Sequence, residues 1–481
     1  MATGKSSTID TIINCAHCGA LNQHLGSTCE GCGHYLAKPI PSWATRQKRK
    51  GLFGRHGLIF MTHRKWILIA LFLLVGGAFT WHNYHIVPNP VTLIFSRPST
   101  SISFLSTPGQ WAMADANLAH SRYIPNPGVL PKGEVFWSTE EALLSGVSAP
   151  IVANGTIYVG SDFKFLALDA ATGKVQWDIA LAGLVNSTPA VAGDTVYFGS
   201  GDSNIWALNR HNGDIEWTFR TGSVTSSSPL VQNGFLFAGS GDGYMYSLDA
   251  TTGEQLWKFR TSDNVTAPPT LQDGVLFFTS NDNGLYSVNY RTGQAKMLFR
   301  TRGTAVFDAP VVANGLVYMV SGNGILTADA GIREIPARWQ FEKMWRILWV
   351  RGFLVPNPPA QHGTGWRFTP GTKVGFIASG PAVTEDSLYV GDTNGNVYSI
   401  DAKDANPNWI FRAEGDIRNS PIVAGDIVYI GTRDGFLYAL DRHAGTQIWK
   451  LDLGAPISLD IALADGKLIV RTDDGNIHSI Q

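Results

Sequence analysis

No cysteine follows Cys32 in this 481-residue chain, so no disulfide staples the large remainder, and its stability has to come from packing. Net charge is missing too. The 37 Lys and Arg stand against 38 Asp and Glu, which excludes a strongly basic body, and no nucleic-acid partner is expected for the main domain. Acidic residues are absent from 38–65, and charge of either sign is absent from 66–87. What is abundant is Gly (52), Trp (15) and Phe (24), a composition suited to many short strands joined by tight turns and packed through aromatics.

All four cysteines lie in two knuckles, Cys15-Ala-His-Cys18-Gly and Cys29-Glu-Gly-Cys32-Gly. Each can aim two thiolates at one tetrahedral ion. So short a segment cannot bury enough apolar surface to fold alone, and metal binding supplies the missing energy. Residues 14–36 resemble a zinc ribbon, in which Cys15, Cys18, Cys29 and Cys32 would close the shell around structural zinc; the same thiolates would also accept iron. Residues 1–13 before it are expected to be disordered.

The stretch 37–65 is a basic linker, and 66–87 matches the length of a membrane-crossing helix. Trp66 and Trp81 flank it as interfacial anchors. The basic flank predicts a single-pass protein with the ribbon in the cytoplasm and everything beyond Pro88 outside it, in contact with lipid through one helix. A reducing cytoplasm keeps the thiols available to metal. Residues 88–109 are expected to be a tether.

Beyond the tether the sequence repeats. Gly173-Lys-Val-Gln-Trp177, Gly213-Asp-Ile-Glu-Trp217, Gly253-Glu-Gln-Leu-Trp257 and Gly293-Gln-Ala-Lys-Met297 recur every 40 residues, and Gly445-Thr-Gln-Ile-Trp449 belongs to the same set. A proline opens successive units at Pro150, Pro189, Pro229, Pro269, Pro310, Pro381 and Pro421. Four strand-like stretches per unit of this length mark propeller blades. The last unit, from Ser458, stops after three strands, and Gly133-Glu-Val-Phe-Trp137 is an outer strand without a blade of its own. Joining the two closes a ring. The fold predicted for 110–481 is therefore an all-β, eight-bladed propeller, with Trp137, Trp177, Trp217, Trp257, Trp409 and Trp449 docking each blade onto the next.

The run Ala167-Leu-Asp169-Ala-Ala-Thr172-Gly173-Lys174-Val-Gln-Trp177 resembles the tryptophan-docking motif of the pyrroloquinoline-quinone (PQQ) type repeat. The likeness extends to the lead-in Gln110-Trp-Ala-Met. It implies either a quinone-dependent dehydrogenase, with PQQ beside calcium, or a non-catalytic scaffold like the propeller subunit of outer-membrane assembly machinery. That subunit is lipid-anchored and has no ribbon. Many such dehydrogenases carry a vicinal disulfide against the quinone, which this chain cannot form, and Asp202, Asp242, Asp282, Asp434 and Asp474 all fall where Asp serves hairpin geometry. PQQ and calcium are accordingly not expected. The reading is a scaffold or assembly factor with a protein partner outside the cytoplasm, with a membrane-bound dehydrogenase and a transmembrane ligand sensor as alternatives.

Two further features invite partners. Arg220, Arg260, Arg300 and Arg412 recur after the outer strands, and the loops they enter predict a partial positive ring around one mouth of the channel. An insertion at about 332–364 interrupts the fifth unit, interleaving Trp339, Phe341, Trp345, Trp349 and Phe353 with Arg333, Arg338, Lys343, Arg346 and Arg351. Residues 337–351 read as an amphipathic helix. It packs as a lid, docks a partner or meets the membrane. Joining strands three and four, it leaves the ring on the face where the tether arrives.

Overall fold

The computed structural model describes residues 13–14, 21–22, 65–75, 97–104, 110–139, 148–301, 308–321, 324–331, 338–352, 355–356, 363–370 and 375–481. The chain divides into two units, Met1–Leu74 and Val75–Gln481. In the first, Ile13–Asn14 and Leu21–Asn22 pair antiparallel and bracket the first cysteine knuckle; the four cysteines themselves lie outside the described residues. Residues 65–75 are helical. Among the described residues no helix is long and apolar enough to cross a membrane, and 76–87 of the expected span lie outside them.

The second unit is a ring of eight blades. Blade 3 is representative: Leu230–Gln232, Phe235–Gly239, Tyr244–Asp249 and Gln255–Arg260 form an antiparallel sheet in sequence order, innermost strand first. Second strands are buried at every position or at all but the first because neighbouring blades cover both faces, whereas outer strands alternate with solvent. The ring closes as the sequence implies. Val135–Ser138 pairs antiparallel with Ile477–Ile480 as the outer strand of blade 8.

Each seam is latched by an indole. Trp137, Trp177, Trp217 and Trp257 donate Nε1–H to the carbonyls of Ala170, Arg210, Ala250 and Tyr290 in the following blade, at 3.1, 3.1, 3.0 and 2.9 Å. Trp409 and Trp449 do the same to Arg442 and Pro131. At three seams a tyrosine hydroxyl, from Tyr158, Tyr197 or Tyr389, converges on the same carbonyl. The ring lies flat on the glycine of the next turn. A Cβ on Gly253 would stand 2.7 Å from Trp217, and its φ of +74° already favours glycine. Trp366 completes this set by donating to Ala402 at 2.9 Å; sequence periodicity missed it because the insertion displaces it from the 40-residue register. Met297 occupies the corresponding register position in blade 4, opposite Ser287. The turn it would dock onto, after Asp329, is where the insertion begins.

Candidate interaction surfaces

Eight innermost strands present eight free edges to the axis, and buried unpaired backbone groups are costly. Residues 110–124 satisfy most of them. Trp111 exchanges both backbone bonds with Val152, and the N–H groups of Val191, Leu271, Val312, Val383 and Val423 donate to the carbonyls of Ala112, Leu118, Ala119, Ser121 and Arg122. Tyr123–Ile124 then adds a parallel strand to Ile422–Ala424. The segment thus plugs the channel by touching six blades in turn. Its backbone is strained, with Asp115, Ala116, His120 and Arg122 all at φ between 51° and 68°, a conformation costing about 1 kcal/mol or more per residue.

Side chains offset that strain. Arg122, fully buried, places Nε 2.6 Å from Asp115 Oδ1. His120 Nδ1 is 2.7 Å from Asp115 Oδ2. The guanidinium also donates to the Pro381 carbonyl at 3.3 Å and lies 3.8 Å from Asp460 and 4.0 Å from Asp308. Gly380 makes room for it, since a Cβ there would fall 2.4 Å from Arg122 Nη1. Burial alone would raise the Asp115 carboxyl, but Arg122 and His120 more than reverse this and hold it below the ordinary range. Asp308 goes the other way. Burial, with Asp460 and Asp115 adding repulsion, outweighs Arg122 and pushes it up to about 6. This cluster has no periodic signature, and only the charged residues of the lead-in, Asp115, His120 and Arg122, hint at it in the sequence.

Four of the five hairpin aspartates, all but Asp434, are bound by groups of the ring itself. Asp242 accepts from Tyr246 Oη at 2.6 Å, from the Tyr244 N–H at 3.1 Å and from the Gly222 N–H at 2.7 Å across a seam. Asp202 accepts from Trp206 and Asn204, Asp282 from Tyr286 and Ser262, and Asp474 from Thr472 and Asn476. Burial and the adjacent carboxylate push the Tyr246 and Tyr286 hydroxyls up, so both tyrosines stay neutral donors.

The four arginines stand elsewhere than expected. Each ends an outer strand, the one farthest from the axis, so they mark the rim of the face and not the mouth of the channel. Arg300 is engaged with Asp282 at 3.2 Å and with the Asp282 carbonyl at 2.7 Å. Arg260 lies over Tyr244. Arg220 and Arg412 are exposed.

The two faces differ. On the one carrying the turns between first and second strands, residues 97–104 of the expected tether are seated: Ser99 bonds Asp249, Thr100 bonds Thr251, and the Ile102 carbonyl accepts from Gly234 at 2.6 Å. The chain leaves the axis over the same face, with Pro127 against Gly425 and Val129 against Gly466. The insertion opens there as well, between Gly324–Asp329 and Thr364–Phe368. It forms the helix Arg338–Val350, to which Trp339, Trp345 and Trp349 all belong. Phe341, Met344, Trp345, Ile347, Trp349 and Val350 are exposed, Val350 by 71%. Trp345 donates to the Pro356 carbonyl at 2.8 Å, pinning the helix to its return segment. On the opposite face Phe163, Leu184 and Val224 stand exposed in the loops of blades 1 to 3.

This architecture matches a known family. The model described as outer membrane protein assembly factor BamB covers residues 129–231, 221–328 and 357–481, more than half of the chain. The chain belongs to the BamB family. The family match stops at 328 and resumes at 357, so the aromatic helix falls outside the family pattern. No curated protein matches. Among solved structures, BamB from Moraxella catarrhalis is similar, 14% identical with a TM-score of 0.56, covering 72% of this chain and 97% of that one. Quinohemoprotein alcohol dehydrogenase from Comamonas testosteroni is also similar, 14% identical with a TM-score of 0.58, covering 77% and 80%. The enzyme from Pseudomonas putida is 15% identical at 0.55, covering 80% and 77%. Likeness at such identities is one of fold. Among the described residues no group of three or more His, Cys, Asp or Glu side chains is placed to hold a metal ion.

Proposed function

We propose that the protein is a membrane-anchored, non-catalytic propeller that holds a protein partner outside the cytoplasm, with a structural zinc ribbon on the cytoplasmic side. One observation carries the reading: the axial channel is filled by the chain's own residues 110–124, and most of the repeated turn carboxylates are bound within the blades. What remains for function is the outer surface. Membership of the BamB family supports a scaffold. The basic stretch 38–65 followed by the uncharged 66–87 supports the anchor and its orientation. The protein partner docks on the face opposite the tether, where Phe163 and Leu184 project.

Benzoylphenylalanine placed at Phe163 and at Leu184 in intact membranes should give a discrete adduct with one protein on irradiation. Absence of protein adducts at both positions contradicts the scaffold reading. The ribbon is tested separately. Purified protein should carry one tightly held zinc per chain, lost in Cys15→Ser; full retention of metal in that variant removes these thiolates as the ligands.

A further inference from the structure

We infer that the helix Arg338–Val350 is a lipid-binding element that lies in the interface of the same membrane that anchors the chain. The inference rests on the anchored reading above and adds a second contact to it.

The first argument is position. Segment 97–104 is fixed to blade 3 on the face of the first-to-second and third-to-fourth strand turns, and the helix leaves blade 5 through a third-to-fourth connection of that face. If the span ends near Val87, residues 88–96 can bridge at most about 30 Å to the seated segment. On the anchored reading, the point where the tether is fixed to blade 3 therefore lies within about 30 Å of the end of the span, on the face from which the helix also leaves.

The second argument is chemistry. Phe341, Trp345, Leu348 and Trp349 recur at i, i+4, i+7 and i+8, forming an apolar stripe with two indoles, the side chain enriched at membrane interfaces. Lys343 and Arg346 fall off the stripe, and Arg338 and Arg351 bound the helix, with Glu342 as the single acid. Basic residues around an apolar aromatic stripe suit anionic headgroups, with long cationic stems reaching past the acyl boundary. Three members of the stripe, Phe341, Trp345 and Trp349, are exposed, Phe341 by 64%, and Leu348 is half-buried.

The third argument is the seam. Where Trp would latch blade 4 to blade 5, the register position holds Met297, and the turn that would receive an indole is given over to the insertion. A docking turn has been replaced by an outward-facing element, in a segment the family pattern does not cover.

The test uses the full chain in nanodiscs of phosphatidylcholine with and without phosphatidylglycerol, with benzoylphenylalanine at Trp349, at Phe72 within the helical 65–75, or at Phe163 on the far face. Adducts are read by mass spectrometry. Lipid adducts are expected at Trp349 and Phe72 and not at Phe163, with the Trp349 yield rising with phosphatidylglycerol. The double change Lys343→Glu and Arg346→Glu should cut that yield by about thirtyfold, which is roughly 1 kcal/mol for each of two basic residues near an anionic surface. Lipid adducts at Phe72 alone overturn the inference and leave the anchor standing. Protein adducts in place of lipid at Trp349, found in native membranes, also overturn it. Loss of lipid adducts at Phe72 as well would defeat the anchored reading itself.

Discussion

Tryptophan is used in two opposite ways in this chain. At seven seams the indole is turned inward, its N–H bound to a carbonyl of the next blade and its ring pressed on a turn. In the helix Arg338–Val350, Trp345 and Trp349 face outward. The difference lies in what surrounds them and not in the residue. Five of the seven seam tryptophans follow a glycine at fixed spacing, and all seven lie in outer strands, so the partner is supplied by the next blade. A helix tryptophan has no repeat to meet it. The first set accordingly holds the ring together, and the second is left exposed, with Trp345 bonded only within its own insertion.

The comparison breaks most readily through stability. Trp257→Ala removes a buried indole and leaves the Tyr290 carbonyl without its donor, which should cost about 3–5 kcal/mol, read as a fall in the urea midpoint of the detergent-solubilised protein. Arg122→Leu should cost a similar amount, about 3–5 kcal/mol, because Asp115 is left charged and buried. Adding Asp115→Asn to it should recover part of that loss, which sets a charge effect at the axis apart from a packing effect at the seams.

A smaller change is pH-dependent. The Asp308 carboxyl is raised from 3.8 to about 6, chiefly by burial. Its neutral form suits the fold, so its contribution is complete below about pH 4 and is lost as pH rises through 6. Asp308→Asn should therefore match the parent at low pH and exceed it above pH 6. The gain should be about 1–2 kcal/mol, because the 27% exposed side chain is partly screened by solvent. The smallest effect belongs to the other tryptophans. Trp349→Ala should leave the midpoint unchanged within about 0.5 kcal/mol, and a loss matching that of Trp257→Ala would mean the helix is packed as a lid.

Periodicity made the ring legible. The 40-residue spacing of Gly-x-x-x-Trp identified the blades, and the orphan strand at Val135 identified the closure, because both follow from a repeat that must bury its faces on a neighbour. Trp366 was not found, since the insertion shifts it out of register and shortens its glycine spacing. The axial plug was not legible either. Its bonds are made by backbone groups to strand edges, which any sequence can offer, and Arg122 finds Asp308 and Asp460 several blades away along the chain. The rim arginines were misplaced radially for a simpler reason: a loop that ends at the axis begins at the rim.

The central claim is that the ring is a scaffold and not a quinone enzyme. Purified protein titrated with PQQ and calcium, followed by isothermal calorimetry and dye-linked alcohol oxidation, tests it most directly. The account predicts neither saturable heat nor dye reduction; stoichiometric quinone binding with turnover would contradict it.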